Sequence, residues 1–127
     1  MFRKLAVLFF VLFTSLLAAQ QHSVTLSWTA GDTNTTPLDT YNVYKASGAC
    51  TGTPTFTKLV SVAPTALCTT AAPCSYQDLA VTAGSSYCYA VTALNGGLES
   101  GKSPFASAVI PTFFPPGVPA TFTAVAQ

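Results

Sequence analysis

From residue 23 onward the chain alternates apolar and polar side chains with a period of two and lacks helical periodicity. Val24, Leu26 and Trp28 interleave with Ser23, Thr25 and Ser27, the pattern of a strand with one face buried and one wet. Segments 23–29, 41–45, 56–62, 74–77, 87–94 and 103–110 carry the same character. The stretches between them (31–37, 48–54, 64–73 and Asn95-Gly96-Gly97) are rich in turn residues. Short strands at regular spacing predict an all-β sandwich. The inward positions of that pattern nominate Leu26, Trp28, Tyr41, Val43, Tyr89 and Val91 as core.

The stretch from Tyr76 to Asn95 refines this expectation. A strand runs into a corner containing Gly84, and a second strand then sets Tyr87, Tyr89, Val91 and Ala93 on one face. A tyrosine just after such a corner buries its ring and returns its hydroxyl to loop backbone, the tyrosine-corner device of Greek-key sandwiches. Tyr87 is the residue expected to do so.

The first twenty residues follow a different logic. Arg3-Lys4 precedes an apolar run over 5–13 that continues through Leu16-Leu17 to the small pair Ala18-Ala19 and then polar Gln20-Gln21-His22. This is the layout of a secretory signal peptide cleaved near Ala19, and its apolar stretch falls short of the roughly 20 residues of a spanning helix. Export therefore places the remaining residues outside the cytosol, secreted or at the cell surface, with no membrane segment after cleavage. Without the leader the charges are Lys45, Lys58 and Lys102 against Asp32, Asp39, Asp78 and Glu99. No basic stripe exists to neutralise phosphates, which excludes nucleic acid as a partner.

Cys50, Cys68, Cys74 and Cys88 in a small exported chain read as disulfides, with three pairings open to the sequence. They lack zinc-site spacing and Cys-x-x-Cys redox spacing. The single histidine, His22, sits beside the cleavage point without a nucleophile or orienting partner in its neighbourhood. Asp32, Asp39 and Asp78 occupy turns or corners where carboxylates bond local amides, and Glu99 with Lys102 reads as a loop pair. Neither an enzyme nor a cofactor is expected. Asn34-Thr35-Thr36 fits the N-glycosylation acceptor pattern.

Val24-Thr25-Leu26-Ser27-Trp28, Tyr41-Asn42-Val43-Tyr44, the corner from Gly84 to Tyr87 with Tyr89-Ala90-Val91-Thr92-Ala93, and Glu99-Ser100 together resemble a fibronectin type III domain across residues 22–111. The resemblance implies an immunoglobulin-like β-sandwich serving as an extracellular structural or binding module, for adhesion or spacing at a cell surface. In the strand pairing it implies, the strand ending at Lys45 lies beside the start of the strand beginning at Tyr87. It thereby suggests a Cys50–Cys88 bridge, leaving Cys68–Cys74 to clip a loop. Tyr44 is expected on the outer face beside Cys88, Ala90 and Thr92, where an aromatic ring could bind a polysaccharide or a protein.

One departure stands out. The family's first strand should precede Ser23, yet the leader runs directly into what resembles the second. The proline-rich segment 112–127 contains Ala120-Thr121-Phe122-Thr123-Ala124-Val125-Ala126, which resembles the missing strand. Three expectations follow: the opening of a further domain in a tandem array, a strand folded back on its own body, or self-association by strand addition to a neighbour. A carbohydrate-binding accessory role beside a secreted hydrolase is a further alternative.

Overall fold

The computed structural model describes residues 21–31, 38–113 and 116–127. The expected leader over 1–19, the turn containing Asp32 and the Asn34 acceptor, and Phe114-Pro115 lie outside the described residues. The described residues form seven strands: β1 (Val24–Trp28), β2 (Thr40–Ser47), β3 (Thr57–Val62), β4 (Cys74–Asp78), β5 (Ser86–Asn95), β6 (Leu98–Glu99) and β7 (Ala106–Val109). Among the described residues there is no helix, and the protein is an all-β sandwich of two antiparallel sheets.

The smaller sheet is β1 against β4, in register from Val24 opposite Asp78 to Trp28 opposite Cys74. The larger runs β3-β2-β5, with β6 and β7 both along the far edge of β5. β2 and β5 pair over eight positions, from Thr40 opposite Leu94 to Ser47 opposite Tyr87. Tyr, Val and Thr fill these strands because branched and aromatic side chains pack well on a pleated surface. Between Val43 and Tyr44 the register skips Leu59, so the extra residue, and the bulge that bends the strand, belong to β3.

The expected sixth strand over 103–110 differs in the structure. Pairing with β5 begins earlier, at Leu98, breaks over 100–105 and resumes at Ala106. The break is bridged by serine: Ser100 and Ser103 donate backbone N–H to the carbonyls of Ala93 and Val91, each at 2.8 Å. Their hydroxyls in turn accept the N–H groups of Ala93 (2.9 Å) and Val91 (3.0 Å). Side-chain oxygens thus replace carbonyls in a stretch where Pro104 offers no N–H to a ladder.

The core lies between the sheets, where Leu26, Val43, Tyr87, Tyr89 and Ile110 form one buried cluster. Trp28 and Val91 pack against it only partly buried, and Trp28 also meets the buried Tyr41 at 5.6 Å between ring centroids. At the β4–β5 corner the Tyr87 hydroxyl accepts the Thr82 N–H at 3.1 Å. Gly84 turns there at φ +77° and donates to the Ile110 carbonyl at 2.9 Å, while the Ile110 N–H returns to Ser85 at 2.8 Å. The corner is thereby clasped to the end of β7. Tyr87→Phe is expected to strip the Thr82 amide of its acceptor and lower the midpoint of urea unfolding. An unchanged midpoint would place water, not Tyr87, at that amide.

Candidate binding surfaces

Inward alternation along β2 puts Lys45 on the same face as Tyr41 and Val43, an unusual place for a charge. Its ammonium is matched by the opposite sheet: Lys45 Nζ lies 2.8 Å from Asp78 Oδ2, and Asp78 is 1% exposed. The same oxygen accepts the Tyr89 hydroxyl at 2.8 Å, and Oδ1 accepts the Ala80 N–H at 2.9 Å. Lys45 further donates to the Ala80 carbonyl at 2.6 Å and stands 4.3 Å from the Tyr87 ring centroid. Burial alone would raise the Asp78 pKa, but the bonds from Lys45, Tyr89 and Ala80 outweigh it and hold the carboxyl below its ordinary value. Burial and then the Asp78 bond push the Tyr89 phenol well above its own. This cluster locks β2 and β5 of one sheet to β4 of the other.

On the outer face of the larger sheet, Asn42, Ala46, Cys88, Ala90 and Thr92 are all buried although they point away from the core. Several groups cover them. Cys50 crosses to Cys88 in a disulfide with Cα atoms 5.0 Å apart. Phe56 and Phe105 meet edge to face at 5.0 Å between ring centroids. Tyr44, opposite Ala90, is half-buried and donates its hydroxyl to Glu99 Oε1. That oxygen also accepts Thr92 Oγ1 at 2.6 Å and Asn42 Nδ2 at 3.2 Å, and Asn42 accepts Ser61 Oγ at 2.7 Å. Three donors on one carboxylate, led by Thr92 and Tyr44, bring Glu99 down to about 2. The Tyr44 phenol rises through the same bond. Lys102 Nζ sits 4.9 Å from the Tyr44 ring centroid.

The second disulfide, Cys68–Cys74, closes a loop at the start of β4, and the Cys68 carbonyl accepts the Ala30 N–H at 2.8 Å just beyond β1.

A groove of about 940 Å³ opens between the sheets on the side where β1 faces the β6–β7 segment. Trp28, Tyr41, Val91, Leu98, Gly101 and Pro104 are among the residues that line it, with Glu99 and Lys102. Asp39 also lines it; Asp39 Oδ1 and Trp28 Nε1 are buried without a hydrogen-bond partner among the described residues. Leu98 is 80% exposed at the rim.

No protein-family model and no curated protein matches this chain. The surfaces therefore have to be read from their own chemistry. Among the described residues no group of three His, Cys, Asp or Glu side chains could hold a metal ion. No described helix is long and apolar enough to cross a membrane.

Sequence reasoning placed Asp78 in a local turn contact and overlooked its bond across the sandwich. The available signal was parity: Lys45 shares the inward register of Val43, and Tyr89 lies inward two residues beyond Tyr87. The groove was also missed, because alternation along a strand does not report the space left beside it.

Proposed function

We propose that this protein is an exported, non-catalytic β-sandwich module of the fibronectin type III kind, acting outside the cytosol as a structural or adhesive unit through protein–protein contacts. The observation that carries the reading is the pair of disulfides, Cys50–Cys88 and Cys68–Cys74, in a small sandwich. Such bridges form and persist in oxidising compartments and stiffen domains too small to rely on core burial. The leader-like sequence over 1–19 supports the same placement. The carboxylates support a structural role: Asp78 and Glu99 each take three donors from the scaffold and are held ionised, which leaves neither suited to proton transfer at neutral pH. Lys102 over Tyr44 and the bond to Glu99 tie up the aromatic ring best placed to stack on a sugar.

The test is thiol trapping after fractionation of cells expressing the whole chain. The reading expects shortened protein with no alkylatable thiol in the extracytoplasmic fraction. Full-length, reduced protein retained in the cytosol would overturn it. For the partner, beads coated with the protein should adhere to cells and lose adhesion after surface proteolysis. Loss after glycosidase treatment alone would favour a polysaccharide.

A further inference from the structure

We infer that the open edge of β1 and the groove beside it receive the 120–126 strand of a second copy of this chain. The inference names a partner for the proposed protein–protein module and rests on that reading only for export. Among the described residues β1 pairs with β4 alone, so its other edge presents unpaired N–H and C=O groups over Val24–Trp28. Such an edge is a template for a further strand unless charge, proline or a covering segment blocks it. Residues 23–31 contain no charge and no proline, and among the described residues no strand pairs with this edge. The groove reaches β1 at Trp28 and is lined as well by residues 98–104, so it can take the inward side chains of a strand added beside the Trp28 end of this edge. An added strand therefore meets both main-chain partners and a mainly apolar slot, the two requirements of strand addition.

The tail has the complementary pattern. Val118, Ala120, Phe122, Ala124 and Ala126 share one face of an extended segment, a single large aromatic among small residues. No charged residue follows Lys102, so nothing in the tail repels a β edge. In the structure the tail does not meet its own body: residues 116–127 are exposed throughout, with Val118 93%, Phe122 94% and Val125 86% accessible. The chain also leaves β7 at the wrong end for self-closure in the antiparallel sense. Val109 lies opposite Ser86, at the pole where β1 begins opposite Asp78. To run antiparallel to its own β1, the tail must first travel to the far pole along the outside of the sandwich. A donated tail approaches from any direction and forms the stronger antiparallel ladder directly.

The test is sedimentation of the protein recovered from an oxidising compartment, from about 1 to 200 µM, beside two variants of the full chain. Phe122→Ala removes the anchor but leaves the strand. Thr123→Pro with Ala124→Pro removes two successive amides, one of which must face the β1 edge because successive amides alternate. Both changes lie in exposed tail, so folding of the sandwich is spared. The wild type is expected to associate into dimers or longer chains. Phe122→Ala should weaken that association at least about 100-fold, and the double proline variant should sediment as a monomer. Emission from Trp28, the one tryptophan in the chain, should shift with concentration in the wild type only. A wild-type monomer across the range would overturn the inference, as would association unchanged by the prolines. A monomer whose Trp28 emission shifts on Phe122→Ala would assign the groove to the chain's own tail and overturn it equally. Each of these failures leaves the export and thiol result of the proposed function standing.

Discussion

Replacing Cys50 and Cys88 together by alanine is expected to lower the unfolding free energy by about 4 kcal/mol, against about 2 kcal/mol for the Cys68/Cys74 pair. The difference follows from closure length. The first bridge spans a sequence separation of 38 residues and the second of 6, and the entropy removed from the unfolded chain grows with the logarithm of the loop. For a domain of about a hundred residues, 4 kcal/mol corresponds to roughly 15–30 °C in Tm. Calorimetry of the two double variants checks the order. Equal losses, or a larger loss from the shorter loop, would mean that local packing and not chain entropy sets the contribution of these bridges. Cys88 is fully buried on the outer face, so alanine leaves a small void there and adds to the first loss.

Asp78→Ala is expected to be comparably damaging, about 3–5 kcal/mol by chemical denaturation, because it strands the Lys45 ammonium and the Tyr89 hydroxyl in the space between the sheets. The informative companion is the double variant Lys45→Met, Asp78→Leu. Replacing both charges with apolar groups of similar volume should recover more than half of the loss, since the penalty comes from the unpaired charge and not from the absence of attraction. The pH dependence has a definite sign. Burial raises the Asp78 pKa, the bonds from Lys45, Tyr89 and Ala80 lower it, and the net direction in the folded protein is down. Its contribution is therefore fully present above the ordinary carboxylate range and is lost as pH falls through the folded value. The gap between wild type and Asp78→Asn should be constant near neutrality and close in strong acid. A gap that widened on acidification would contradict the assignment.

The strands were legible because period-two alternation reports directly which side chains meet across a core. Segments 23–29 and 87–94 carry it most clearly, and the structure places β1 and β5 within them to about a residue. What alternation cannot report is what lies over the outer face. Asn42, Ala46, Ala90 and Thr92 look solvated by parity, yet Phe56, Phe105 and the 50–88 bridge cover that side of the sheet. Those coverings come from loops whose paths depend on distant contacts. The split of β6 from β7 was hidden for a similar reason: the serines that bridge it act through hydroxyls, which carry no hydrophobic signal. The Lys45–Asp78 pair carries no local signal, because the two residues stand 33 positions apart and belong to different sheets.

The central claim is that β2 and β5 are neighbours in the larger sheet, stapled across its outer face, with β4 in the other sheet clipped separately. Non-reducing proteolysis with mass spectrometry tests it most directly. The expected map contains one linked pair joining the peptides of Cys50 and Cys88 and a second joining Cys68 and Cys74. Any bridge from Cys50 or Cys88 to Cys68 or Cys74 in the folded protein would contradict the strand arrangement described here.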